Sequence, residues 1–221
     1  TPLASEAIKN VYAVYKRDIT LKSGVSGVLS DKKTQYYNSA GTLGDITPSA
    51  ASTHDLSKGW NHTTNKRWRA DTNAVWNSTN AAPEYSGSRI SPAINSATTL
   101  YALYERTLTF KHGRDEAIPN GTGTQYYNAS GTVGIVTTPT ADLTNLSGYG
   151  WTHAGWRDDD EANGPDAPNW NGTSISPDID SEQTLYAIYS RTVNKVYSGQ
   201  SKATTHTPTQ YYNSANVNSS K

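Results

Sequence analysis

The sequence predicts a mainly β protein, two tandem units joined by continuous strands with few or no helices, and three observations lead there. The first is recurrence. Tyr12-Ala13-Val14-Tyr15-Lys16-Arg17 returns as Tyr101-Ala102-Leu103-Tyr104-Glu105-Arg106, and again as Tyr186-Ala187-Ile188-Tyr189-Ser190-Arg191. Thr34-Gln35-Tyr36-Tyr37-Asn38 returns at 124–128 and at 209–213. The first motif steps by 89 residues (12 to 101) and then 85 (101 to 186); the second steps by 90 (34 to 124) and then 85 (124 to 209). Two separate markers on one period indicate a tandem array. The second observation is alternation. Leu100, Ala102, Tyr104, Leu108 and Phe110 fall on one face of a strand, and Tyr101, Leu103, Glu105, Thr107 and Thr109 on the other, which is period two. The third is composition. An apolar fraction of 34% would suggest disorder, but 6 Trp and 15 Tyr argue against it, since disordered segments are poor in aromatics. Large rings supply much of the buried area of a small β domain.

The elements follow in order. Thr1-Pro2 matches Ser91-Pro92, so residues 1–16 read as the end of a preceding repeat, 17–104 as one unit and 105–189 as the next. Residues 190–221 read as the start of a third repeat, or as a tail packing on the second unit. Val11 to Leu21, Leu100 to Phe110 and Leu185 to Val193 are junction strands. No Gly- or Pro-rich linker interrupts them, so the last strand of one unit runs into the first of the next, about 35 Å at ~3.3 Å per residue. Arg17, Arg106 and Arg191 stand at the crossing points on the otherwise apolar face. Turn-rich stretches follow (Lys22 to Lys33, Lys111 to Gly123), then the Thr-Gln-Tyr-Tyr strands, closed by Asn38 to Gly41 and Asn128 to Gly131 as tight turns. Ala50 to Ser57 and Thr140 to Ser147 are candidates for short helices. Tyr149 to Arg157 reads as an aromatic strand, matched by Gly59-Trp60 and Arg67-Trp68-Arg69, and polar loops lead on to Ile90–Ile94 and Ile175–Ile179.

Net charge is zero, with 19 basic and 19 acidic residues, so sequence-independent nucleic-acid binding has no basic surface to use. No apolar run approaches the roughly 20 residues of a membrane span. There are no Cys and no Met. The missing Cys fits an extracellular chain that pairs no thiols, and it fits many cytosolic domains as well. The missing Met suggests a fragment or processed piece whose export signal lies elsewhere.

Gly148-Tyr149-Gly150-Trp151-Thr152-His153-Ala154-Gly155-Trp156-Arg157, then Ile175 to Ile179, then Thr184-Leu185-Tyr186-Ala187 resemble the Listeria–Bacteroides repeat, the family that includes the B repeats of internalins. The first unit keeps Thr99-Leu100-Tyr101-Ala102 but spaces its Gly-Trp segment differently. The resemblance implies small β-grasp-like α+β domains strung along secreted or wall-attached bacterial proteins. It implies a non-catalytic spacer or stalk, with other repeats of the same surface protein as partners. An adhesive module recognising glycan or host protein is the alternative.

Few residues suggest chemistry. Asp159, Glu161, Asn163 and Gly164 fall at positions 1, 3, 5 and 6 of a calcium loop. Position 12 is Trp170 where a bidentate Glu belongs, so a solvated acidic loop is the stronger reading and no cofactor is expected beyond that calcium option. Trp151 and Trp156 sit in the strand motif and read as core. Trp76 and Trp170 lie in Asn-rich loops and are the candidate ligand contacts. His54, His62, His112, His153 and His206 share no metal or catalytic spacing, so no enzymatic activity is expected. Thr34-Gln35 and its two copies suggest a stalk-type ester crosslink, but neighbours on a strand point to opposite faces and cannot react with each other.

Overall fold

The computed structural model describes residues 10–62, 67–70, 85–114, 121–158, 167–197, 204–206 and 208–215. In chain order the strands are β1 (Val14–Ser23), β2 (Leu29–Asn38), β3 (Thr42–Leu43), β4 (Trp68–Arg69), β5 (Thr99–Lys111), β6 (Gly121–Asn128), β7 (Thr132–Val133), β8 (Val136–Thr137), β9 (Thr152–Arg157), β10 (Ser174–Ile175), β11 (Thr184–Thr192), β12 (Lys195–Tyr197), β13 (Thr204–His206) and β14 (Thr209–Asn213). The chain is mainly β, with no helix of seven residues or more among the described residues.

Three antiparallel hairpins carry the two recurring motifs. β1 pairs with β2, β5 with β6 and β11 with β14, and the registers place Arg17 opposite Gln35, Arg106 opposite Gln125 and Arg191 opposite Gln210. The same turn follows the second strand of each longer hairpin, leading from β2 into β3 and from β6 into β7. Asn38 Oδ1 accepts from Ala40 N at 2.8 Å and Asn128 Oδ1 from Ser130 N at 2.9 Å. Gly41 and Gly131 follow at φ 99° and 105°, a backbone that glycine adopts without a Cβ clash. The hairpins join by short parallel ladders, Thr20–Lys22 against Thr99–Tyr101 and Thr109–Lys111 against Thr184–Tyr186. One mixed sheet of ten strands results.

β5 is the central element, at 13 residues or about 43 Å at ~3.3 Å per residue. Its first part lies beside β1 and β4, and its last part beside β11. Leu100, Ala102 and Tyr104 enter one apolar cluster with Ile19, Leu21, Trp60 and Trp68. Leu108 and Phe110 enter a second with Trp156, Leu185 and Tyr189. The predicted face alternation therefore appears, with one addition: Leu103, on the other face, is also buried. Each fully buried apolar side chain stabilises by about 1.5–3 kcal/mol, so a single strand anchors both clusters.

Two local expectations are corrected. Residues 50–57 and 140–146 hold no helix; Ser147 only opens a single 3-10 turn at Ser147–Tyr149. Side chains compete with the helix for backbone donors there. Ser52 Oγ accepts from His54 N at 3.1 Å and Asp142 Oδ1 from Thr144 N at 2.5 Å. Asp55 and Asn145 then take φ 60° and 61°, which a right-handed helix cannot include. The first junction strand also runs later than expected, Val14–Ser23 rather than Val11 to Leu21.

Candidate functional site at the crossing between the clusters

Arg106 lies where β5 passes from one cluster to the other, and its residue is 1% exposed. Its Nε donates to Gln125 Oε1 at 2.9 Å. Nη1 donates to Ser181 O at 2.8 Å and Nη2 to Asp178 O at 2.8 Å. The guanidinium carbon sits 4.5 Å from the centroid of the Trp60 ring, a cation–π contact that strengthens on desolvation. Gln125, itself 0% exposed, spends its amide on Gly134 O at 3.0 Å and Pro177 O at 2.7 Å. A buried guanidinium is tolerable here because backbone carbonyls meet its planar fork. Burial pulls its pKa down to about 10, against the opposing pull of Asp180, Asp158, Asp178 and Glu182, so it stays charged at neutral pH.

The same set recurs at Arg17. Its Nε reaches Gln35 Oε1 at 2.9 Å, and its two terminal nitrogens reach Pro92 O, Ala93 O, Ile94 O and Ser96 O at 2.6 to 3.2 Å. Gln35 Nε2 donates to Gly44 O at 2.8 Å and Pro92 O at 3.0 Å. In both places a Pro-x-Ile-x-Ser loop, 92–96 or 177–181, turns its carbonyls onto an Arg–Gln pair from the opening hairpin. Arg17 and Gln35 were legible as recurring residues but not as partners. The register that pairs them is set across residues 24–28, between β1 and β2, where the sequence carries no Asn-Gly turn to announce it.

Further contacts tie the second loop to the first cluster. Trp60 Nε1 donates to Ile179 O at 2.8 Å, Lys58 pairs with Glu182, and Gly59 at φ 78° lies against the Gln183 side chain. The two clusters also share a tyrosine device. Tyr104 Oη accepts from Gly24 N at 2.8 Å and donates to Ser52 O. Tyr189 Oη accepts from Gly113 N at 2.7 Å and donates to Asp142 O at 2.9 Å. Burial pushes both phenols up to about 12. The counterpart Tyr15 is 59% exposed.

Among the residues singled out from sequence, Trp170 is half-buried, packed on the second cluster, with its backbone bridged to Trp156. Trp76, and the acidic-loop residues Asp159, Glu161 and Asn163, lie outside the described residues. Trp156 is fully buried and Trp151 half-buried. A cleft of about 350 Å³ beside the first cluster is lined by Ser26, Asp55, Tyr127, Asp178 and Asp180 among others. Among the described residues no group of three or more His, Asp or Glu is placed to hold a metal ion.

No protein-family model, curated protein or solved structure matches the chain.

Proposed function

We propose that this chain is a non-catalytic spacer, a segment of tandem units in a bacterial cell-surface protein that holds other parts of that protein at a distance. The observation that carries this reading is the crossing at Arg106. One strand enters both apolar clusters, and a buried guanidinium binds Gln125, the 178–181 backbone and Trp60 at the passage between them. A hinge there would have to break several charge-assisted hydrogen bonds at once. Stiffness of this kind serves a stalk. The extracellular setting and the partners, other repeats of the same protein, come with the resemblance.

The test is backbone 15N relaxation with residual dipolar couplings. One alignment tensor fitting both clusters supports the spacer, and two independent tensors would sink it. A glycan and host-protein array, run beside Trp170→Ala, tests the adhesive alternative. Binding lost in that variant would favour adhesion. The half-buried placement of Trp170 gives that alternative less support.

A further inference from the structure

We propose that Arg191, Gln210 and Trp151 form a docking socket for a Ser-Pro-x-Ile-x-Ser loop presented by a further unit of this kind. The proposal rests on the spacer reading and names the contact by which such units engage.

The third Arg–Gln pair is built like the other two. Arg191 Nε donates to Gln210 Oε1 at 2.8 Å, against 2.9 Å at both Arg17 and Arg106. Its guanidinium carbon lies 4.5 Å from the Trp151 centroid, the distance that Arg106 keeps from Trp60. The loop is what differs. Arg17 and Arg106 each reach at least three carbonyls of a Pro-x-Ile-x-Ser segment. Among the described residues Arg191 meets no such segment, only Tyr149 O at 3.5 Å.

Exposure follows the same division. Gln35 and Gln125 are 1% and 0% exposed, whereas Gln210 is only half-buried. Trp60 is buried, with Nε1 on Ile179 O, whereas Trp151 is half-buried. Among the described residues the socket thus offers a guanidinium whose one backbone acceptor is the long contact to Tyr149 O, a carboxamide N–H pair and an indole N–H. Those donors call for a cluster of inward-facing carbonyls. A loop carrying Pro supplies them, since the ring removes one competing N–H and holds the residue before it extended. A second copy of this chain cannot offer 92–96 or 177–181, because Arg17 and Arg106 already hold them, and its Thr1-Pro2 segment carries Ala4 and Glu6 where the loop has Ile and Ser. The occupant is therefore the equivalent loop of another unit.

The experiment titrates the full chain with a synthetic peptide of residues 172–184, Gly-Thr-Ser-Ile-Ser-Pro-Asp-Ile-Asp-Ser-Glu-Gln-Thr. The readouts are the NMR signals of Arg191 Nε–H, the Gln210 amide and Trp151 Nε1–H. Saturable shifts at these three in the millimolar range are expected, since a free peptide must be ordered on binding. Arg106 and Gln125 should not move. A scrambled peptide should do nothing, and Arg191→Ala or Trp151→Phe should remove the response while leaving the Arg106 signal in place. No shift, an equal shift with the scrambled peptide, or a response surviving in both variants overturns the socket. If the three signals instead move with protein concentration alone, a second copy is the occupant and the assignment is wrong. Any of these failures leaves the single-tensor test of the spacer untouched.

Discussion

Arg106 Nε and Gln125 Oε1 meet at 2.9 Å across the β5–β6 hairpin with both residues buried, and that pair joins the two halves of the molecule. The hairpin register places them opposite each other. The 177–181 loop and Gly134 O accept from their other donors. A polar network of this kind holds one arrangement strongly, because any partial break leaves charge or amide unpaired in a dry place.

Arg106→Ala should therefore destabilise the chain by about 3 kcal/mol or more, since it strands Gln125 and several buried carbonyls. Arg17→Ala, at the half-buried copy, should cost clearly less. Urea denaturation of both variants checks the order. Equal losses would show that burial is not what makes Arg106 matter.

Gly59→Ala should loosen the contact between the clusters. The residue sits at φ 78°, and a Cβ would come within 2.2 Å of the Gln183 side chain. The expected cost is about 1–2 kcal/mol from backbone strain, with a rise in independent motion of the two clusters in 15N relaxation. Unchanged relaxation would mean that Gln183 simply swings aside.

Gly155→Ala should act on the second cluster. Its Cβ would stand 2.2 Å from Trp170 O and 2.6 Å from Pro168 Cβ, and backbone cannot yield as a side chain can. A loss of about 1–3 kcal/mol is expected, together with disruption of the Trp156–Trp170 bridge seen as altered tryptophan fluorescence.

Alkaline titration should unfold the protein between about pH 10 and 12. Burial holds Tyr104 and Tyr189 up to about 12 in the folded chain, whereas an unfolded tyrosine ionises near 10. The unfolded state thus releases its protons first. The stabilisation is whole below pH 10 and is lost as pH rises toward 12. Thermal melts across this range check it. Tyr104→Phe and Tyr189→Phe should flatten the slope, although each also loses its bridging hydroxyl.

Acid should act through His153. Its ring lies against Trp156 and Tyr189, its Nε2 is buried with no partner among the described residues, and burial lowers its pKa below 6.5. The unfolded chain binds this proton first as pH falls, so stability drops below about pH 6.5. His153→Phe should reduce that dependence in melts between pH 7 and 5; an unaltered slope would place the acid sensitivity elsewhere.

Much of this was readable from residue order. Alternation along 100–110 announced β5 and its buried face, and the recurring Tyr, Arg and Gln marked the strands that the hairpins pair. The short helices at 50–57 and 140–147 were misread because Ser52 and Asp142 bond to nearby backbone, a competition that apolar spacing does not reveal. Trp170 read as a loop residue for ligand contact, and its half-buried position leaves part of it to solvent. It packs on the second cluster because Gly155 lets its backbone approach.

Local pattern was enough for the strands, since period-two alternation and Asn-Gly turns act over a few residues. The junction was decided at a distance. Arg106 and Ser181 are 75 residues apart and Trp60 and Ile179 are 119 apart. Nothing in either neighbourhood says that a guanidinium will find carbonyls rather than water. That outcome depends on the 177–181 loop folding back over the β5–β6 hairpin, where removal of water converts a charged side chain on an apolar face into the centre of a hydrogen-bonded crossing.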